Sequence, residues 1–305
     1  MGDGMEKITP ALSVAIATYG RGMVLVETIE QVLAQSPGEL LILDQNRAYE
    51  PGVAQFLQEQ SDQGALRWIR REEPSIPGAL NDALLQARED IVLFLDDDVV
   101  LAPGLLEAHW RAHASKPNSA AVVGQILQPG EVPTARGEEE PFRFNSTHGC
   151  LIKDLMAGNL SVKRAAAMAV GGFDENFLAV AYKFESEFGQ RLARAGWELW
   201  FEPEASLRHL RASGGGTRSF GSHLRTASPG HSVGAYYFCL LENGGTWAWS
   251  TVLDRWHKTF CSRYLLRRPW WLPLVALAEI RGIRQAGELY RRGPKLLPPG
   301  GRQKP

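Results

Sequence analysis

The stretch Asp90-Ile-Val-Leu-Phe-Leu-Asp-Asp-Asp-Val-Val100 decides how the rest of the chain is read. Residues 91–95 are an unbroken apolar run of β-branched, leucine and aromatic side chains, the pattern of a strand buried on both faces of its sheet. The run stops at three consecutive carboxylates, Asp96, Asp97 and Asp98. Like charges this close raise one another's pKa, and partial burial adds to the penalty, unless a cation shares the site. Carboxylates at the C-terminal end of a central strand lie where open α/β sheets bind ligands, and a hard divalent ion is their natural counter-charge. The same string also reads as a solvated acidic turn ahead of Pro103-Gly104, so the neighbouring sequence has to choose.

Upstream, strand and helix patterns alternate. Residues 12–17 form an apolar strand ending at Thr18-Tyr-Gly-Arg21, followed by helical spacing of Leu25, Ile29, Val32 and Leu33. A second strand over 40–43 ends at Asp44, and a helical segment over 53–60 leads to a short edge-type strand over 66–69. Residues 77–85 form a helix running directly into the central strand. This order predicts a parallel sheet with right-handed crossovers in the first half. The chain has neither GxGxxG after its first strand nor GxxxxGK[ST], so dinucleotide and P-loop readings lose their strongest support. An acidic residue just past the second strand either accepts hydrogen bonds from a base or ribose, or caps an ordinary turn.

The 305 residues suffice for one large α/β domain, or one domain with an appendage. The 33 Lys and Arg balance 34 Asp and Glu, so no global field points to nucleic acid. Cys150, Cys239 and Cys261 are odd in number and widely spaced, which gives no disulfide framework. No apolar run reaches the length of a membrane span, and a cytoplasmic protein is expected.

Downstream, residues 105–114 form a helix carrying His109 and His113, which are expected to pack, since no third ligand stands near them. Residues 120–126 are another strand, and 128–149 lack periodicity and are expected to form a mobile excursion near an acceptor. Gly158 permits close backbone approach, while Asn159 and Ser161 suit sugar hydroxyls or, for Ser161, a helix cap. Glu185 and Glu187 lie two apart in a helix and so point in different directions. A strand over 197–201 and an extended stretch over 203–209 end at His209, either a metal-ligating or a buried hydrogen-bonded histidine. The polar, glycine-rich residues 213–218 read either as a lid over phosphates, with Arg211 or Arg218 donating, or as a linker. From Val233 the composition turns aromatic and basic, which predicts a mostly helical appendage over 226–292, with a disordered tail over 293–305. Arg263, Arg267 and Arg268 precede Trp270-Trp271 and a short apolar run to Ala278. That pattern suits either a helix lying in a membrane interface or one packing on the catalytic domain or on another subunit.

Taken in order, eight strings resemble the inverting nucleotide-sugar glycosyltransferases of family 2, which have the GT-A fold. They are Val14-Ala-Ile-Ala-Thr-Tyr-Gly-Arg21, Asp44, Ala79-Leu-Asn-Asp-Ala-Leu84, Phe94-Leu-Asp-Asp-Asp-Val99, Ala157-Gly-Asn-Leu-Ser161, Gly171-Gly-Phe-Asp-Glu175, Glu185-Ser-Glu-Phe-Gly-Gln-Arg-Leu192, and Pro203-Glu-Ala with His209. The resemblance covers residues 10–215 and implies an α/β, Rossmann-like mixed sheet flanked by helices. A catalytic domain over 1–225 would then hold a nucleotide-binding half (10–100) and an acceptor-side half (101–225). It also implies site roles. Thr18 and Tyr19 would floor the nucleoside pocket, Asp44 would contact the base, and Asp96 would reach the ribose or the metal's outer shell. Asp98 and His209 would ligate Mn2+ or Mg2+, and Glu185 would be the catalytic base. Arg21, Asn81, Asp97, Gly158, Asn159, Arg211 and Arg218 complete the expected donor-binding set. The chain departs from the family at Phe184, where an acid usually precedes the base, and at Leu80, where many members carry arginine.

The expected function is therefore metal-dependent, inverting transfer of a sugar from a nucleoside-diphosphate sugar to a hydroxyl of a saccharide or lipid-linked acceptor. Two rivals stand beside it: a nucleotide-sugar-binding protein without transfer, suggested by the altered Phe184-Glu185 pair, and a sugar-phosphate nucleotidyltransferase. The second would want a basic, glycine-rich loop after the first strand, and Thr18-Tyr-Gly-Arg21 supplies too little of one. The C-terminal region would make a peripheral membrane contact at the inner face, or a homo-oligomer contact.

Overall fold

The computed structural model describes residues 10–135, 142–216, 219 and 221–298. The polar leader, the centre of the 128–149 excursion, Arg218 and the tail beyond residue 298 lie outside the described residues.

The predicted alternation is present as β1 (Ser13–Thr18), α1 (Met23–Ala34), β2 (Glu39–Asp44), α2 (Pro51–Asp62), β3 (Arg67–Arg70), α3 (Ile76–Gln86) and β4 (Ile91–Leu95). The four strands pair in parallel in the order β3-β2-β1-β4, with β3 at the edge. Side chains alternate between two cores, as strand geometry requires. Val14, Ile16, Leu93 and Leu95 meet α1, α2 and the helix over Leu105–Ser115, whereas Ala15, Val92 and Phe94 face α3 and the C-terminal helices. The local start of α3 explains its position. Ser75 accepts a hydrogen bond from the Gly78 amide, and Pro77 sits in the first turn, where its missing N–H leaves no helical bond unmade.

The second half continues with β5 (Val99–Leu101), α4 (Leu105–Ser115), β6 (Ser119–Leu127), β7 (Cys150–Leu151), β8 (Asn159–Lys163), α5 (Arg164–Ala169), α6 (Phe184–Arg194) and β9 (Glu198–His209). β8 runs antiparallel between β4 and β6, so the full order β3-β2-β1-β4-β8-β6-β9-β5 is a mixed sheet. Ser161 is thus an interior strand residue rather than a helix cap. Its hydroxyl lies 2.8 Å from His109 Nδ1 and 2.9 Å from His113 Nε2. Both histidines are buried, as their packing role requires, and burial pushes their pKa values down to about 4 and about 3.

The C-terminal region is helical: α7 (Val233–Glu242), α8 (Trp249–Phe260), α9 (Arg263–Arg267) and α10 (Leu272–Arg292). It is fastened to the sheet-bearing part rather than hung from it. Tyr236 and Tyr237 are fully buried in the main core, and the Tyr237 hydroxyl donates to Asp174 Oδ2 at 2.7 Å. Arg255 pairs with Glu279 at 3.0 Å, tying α8 to α10. Residues 293–298 correct the expectation of a disordered tail. Leu297 is buried, its amide donates to Gly171 O at 2.8 Å, and the Glu175 amide donates to Lys295 O at 3.0 Å. Leu296 and Leu297 find apolar cover against Gly171 and Gly172, both at positive φ, where a side chain would be strained and would strike those leucines.

Asn81, expected at the donor, is instead a buried structural tie. Its Nδ2 donates to Phe173 O at 2.8 Å and its Oδ1 accepts from the Phe173 amide at 2.7 Å. Asn81→Ala leaves both Phe173 backbone groups without their partner, and urea unfolding should show a loss on the order of 3 kcal/mol.

Candidate active site

A cleft of about 290 Å3 opens at the C-terminal ends of β1, β2 and β4, closed on its far side by the start of β8, the first turn of α6 and the end of β9. Tyr19, Arg21, Asp96, Gly158, Glu185 and His209 are among its lining residues.

Strand register places the histidine. β5 follows the carboxylates immediately and pairs antiparallel with β9, so that Val99 stands opposite His209. His209 Nε2 consequently lies 3.1 Å from Asp98 Oδ1 and 3.8 Å from Asp96 Oδ2. One ligand atom from each of Asp96, Asp98 and His209 falls within 4.8 Å of the others. Two carboxylates and an imidazole make a donor set that fits Mn2+ or Mg2+, with Asp96 turned to the open cleft and Asp98 buried beneath it. Asp96 was expected near the ribose or in the outer shell. The geometry instead places it in the same cluster as the other two. Gly158 makes this possible, because a methyl group there would overlap the Asp96 carboxylate.

Arg21 answers the repulsion among the carboxylates. Its guanidinium, only 7% exposed, contacts Asp97 Oδ1 at 2.8 Å and Asp98 Oδ2 at 3.1 Å, and it also donates to the carbonyl of Gly214. Arg21, expected as a donor contact, lines the cleft with most of its N–H groups committed to the protein. Burial raises Asp97 to about 6, with Arg21 opposing. Burial would also raise Asp98, but His209, the Ala212 amide and Arg21 together outweigh it and hold that carboxyl below its ordinary range. The Ala212 amide donates to Asp98 Oδ2 at 2.8 Å and the Gly216 amide to Tyr19 O at 2.6 Å, so residues 212–216 are laid across the mouth of β1.

Glu185 stands in the first turn of α6, where its Oε1 accepts the Ala157 amide at 2.6 Å. Burial pushes its carboxyl up to about 7, the Ala157 hydrogen bond opposing and the charge of Asp96 adding to the rise. Glu187 faces elsewhere, buried and paired with Arg191 at 2.6 Å.

Several expected donor contacts serve the scaffold. Thr18 is fully buried and outside the cleft lining. Asp44 is also fully buried, with Oδ1 accepting from the Asn46 amide and the Tyr49 hydroxyl, and Oδ2 from Trp68 Nε1 at 2.9 Å. Asn159 is spent within the sheet, since its Nδ2 donates to Ala205 O at 2.7 Å and to Gln125 O. Arg211 is exposed and bonds Gln128 Oε1 at 2.8 Å, away from the lining. Arg218 lies outside the described residues. Gln45, Ser75 and Ile76, which sequence reasoning passed over, line the cleft instead. Their signal was position alone: Gln45 directly follows β2, where a parallel sheet presents ligand-facing residues.

A mixed sheet with a carboxylate–histidine cluster at its strand ends defines a GT-A-type fold. The chain matches the model of glycosyl transferase family 2 over residues 13–169, just over half its length, and it belongs to that family. Among curated proteins it is 28% identical over 185 residues to an N-acetylglucosaminyl-diphospho-decaprenol L-rhamnosyltransferase of Mycobacterium tuberculosis, covering 52% of this chain and 58% of that protein. It is 26% identical over 183 residues to a glucosyl-dolichyl phosphate glucuronosyltransferase of Haloferax volcanii, covering 54% and 56%. The chain thus spans little more than half the length of these relatives. Among solved structures, a mannosyltransferase from Pyrobaculum calidifontis in complex with GDP-Man and Mn2+ superposes with a TM-score of 0.55 at 18% identity, over 94% of this chain and 80% of that one. At that identity the likeness concerns the fold.

The role of Gly158 can be tested directly. Gly158→Ala displaces Asp96 from Asp98 and His209, and Mn2+ affinity measured by calorimetry should fall roughly 10–100-fold, as for other residues that position ligands.

Proposed function

We propose that this protein transfers a sugar from a nucleoside-diphosphate sugar to an acceptor hydroxyl, with inversion, using Mn2+ or Mg2+ held by Asp96, Asp98 and His209. The observation that carries this reading is that the three ligand atoms and the Glu185 carboxylate face one cleft. A divalent ion bound there would neutralise charge developing on the departing diphosphate, supplying electrophilic help without a general acid. Asp98 is held ionised by its partners and so is ready to ligate. Arg21 keeps Asp97 from competing for the same position. Glu185, across the cleft, accepts the proton of the attacking hydroxyl, and the Ala157 amide fixes which carboxylate oxygen stays bound to the protein. A base with a pKa of about 7 is half ionised near neutrality, which suits proton acceptance.

The test is turnover against a panel of nucleotide sugars. Chelation should abolish transfer and Mn2+ should restore it, while Glu185→Gln should lower kcat by about 10²–10⁴-fold with donor binding retained. Because only the ionised carboxylate accepts a proton, kcat/KM should climb with pH through about 7, and this acid limb should vanish in Glu185→Gln. Nucleotide binding without any turnover would leave a binding protein.

The acceptor reading is that the hydroxyl belongs to a saccharide or lipid-linked sugar, used at the inner face of a membrane by a cytoplasmic protein. The names of the two curated relatives, the rhamnosyltransferase and the glucuronosyltransferase, carry a diphospho-decaprenol and a dolichyl phosphate. No helix among the described residues is long and apolar enough to cross a membrane. On α10, however, Leu277, Ile280, Arg281 and Arg284 form one exposed face, preceded by exposed Leu266, Arg267, Arg268 and Trp270, the last 68% exposed. Apolar and cationic side chains interleaved in this way match an anionic bilayer surface. The intact chain should float with phosphatidylglycerol vesicles at low salt, less so at high salt, and Leu266→Ser with Trp270→Ser should abolish flotation. No flotation together with a concentration-dependent dimer would reassign the face to a second copy.

A further inference from the structure

A second cavity, of about 520 Å3, lies between α6, α7 and α8. Two stretches form its common wall with the catalytic cleft. Asp154 lines the second cavity while Met156 and Ala157 line the cleft; Tyr182 and Lys183 line the second cavity while Val180, Phe184 and Glu185 line the cleft. The second stretch is strained: Ala179, Ala181 and Lys183 have φ of 56°, 51° and 75°, values uncommon for non-glycine residues and concentrated at functional sites.

The charges around this cavity are unequally matched. Lys258 pairs with Asp254 at 2.7 Å, Arg255 with Glu279 at 3.0 Å, and Glu242 accepts from Gln190 at 2.6 Å. Among the described residues neither Asp154 nor Lys183 has an ion-pair partner. Among the described residues Lys183 meets the Ser186 hydroxyl at 3.3 Å and lies near the rings of Tyr182 and Phe238. Tyr182 itself is 50% exposed. One unmatched acceptor, one unmatched donor and an open aromatic ring describe the chemistry of a sugar site. Sugar hydroxyls both donate and accept, and a C–H face stacks on a ring. A simple anion would be repelled by Asp154, and an alkyl chain would desolvate two charges without compensation.

We propose that this cavity binds the acceptor sugar, with Asp154 and Lys183 on its hydroxyls, Tyr182 against its face, and the reacting hydroxyl reaching past the shared 179–185 edge to Glu185 in the catalytic cleft. This rests on the glycosyl-transfer reading above and adds the seat of the acceptor sugar. Glu185 already feels both charges, Lys183 lowering and Asp154 raising its pKa.

The experiment uses the full chain with Mn2+ and uridine, guanosine or thymidine diphosphate, and saturation-transfer NMR with methyl glycosides of hexoses, N-acetylhexosamines and 6-deoxyhexoses. At least one glycoside should bind, and Tyr182→Ala and, separately, Asp154→Asn should each weaken it about tenfold, the size expected of a stacked ring or a charge-assisted bond. Nucleotide affinity, read by calorimetry, should stay within about twofold in variants whose circular dichroism matches the parent. Glycoside binding that survives both substitutions, or no glycoside binding beside normal nucleotide binding, overturns the acceptor seat alone. Absence of nucleotide binding overturns the glycosyl-transfer reading itself.

Discussion

Three carboxylates in a row at the end of a buried strand repel one another, and the surrounding structure is arranged to hold them. Each has a different solution. Asp97 turns inward onto Arg21, Asp98 is shared among Arg21, His209 and the Ala212 amide, and Asp96 is left facing the cleft. The partners come from remote parts of the sequence: the β1–α1 turn, the end of β9 and the loop after it. Folding of the first sheet half and closure of the last strand are therefore coupled at one electrostatic knot. A bound divalent ion would complete a charge balance that Arg21 has already begun.

The mixed part of the sheet has its own internal order. Asn159 commits its Nδ2 to two carbonyls, so its Oδ1 must accept from His109 Nε2–H at 2.9 Å. His109 Nδ1 is then an acceptor and takes the Ser161 hydroxyl proton, and Ser161 in turn accepts from His113 Nε2. The donors pass back and forth between α4 and β8, from His113 to Ser161 to His109 to Asn159, and end on the carbonyls of Gln125 in β6 and Ala205 in β9. Burial keeps both rings neutral, and the order of donors requires this of His109, whose Nδ1 has to accept. Gly158, against which Asp96 rests, is the residue immediately before this network.

The parallel half of the fold was legible because its strands are apolar runs separated by helical spacing, and each strand ends in a visibly polar residue. β8 was not, since Asn159-Leu-Ser-Val-Lys163 has polar groups at positions that face a buried histidine pair rather than solvent. The acidic cluster and His209 were legible as chemistry, but their adjacency depends on the β5–β9 register, a pairing between segments about a hundred residues apart. Asn81, Asp44 and Asn159 were misplaced for one reason. Family motifs mark residues that matter without distinguishing a group that meets a ligand from one that holds the frame. Only burial and partner geometry make that distinction. The wall over 179–185 had no sequence signal, because positive φ at alanine and lysine follows from packing, not from composition.

The return of residues 293–298 to Gly171, Asp174 and Glu175 closes the helical region into a loop anchored at both ends. α7 is fixed through Tyr237 to Asp174, and the segment after α10 is fixed to the same short stretch. That stretch is in turn bound by Asn81 to the helix that feeds the central strand. Mechanically this is a buckle rather than a hinge. Force or heat applied to the last helix is delivered within a few bonds to β4, so the helical part and the sheet should melt as one cooperative unit, and cutting between them would expose the apolar faces of both.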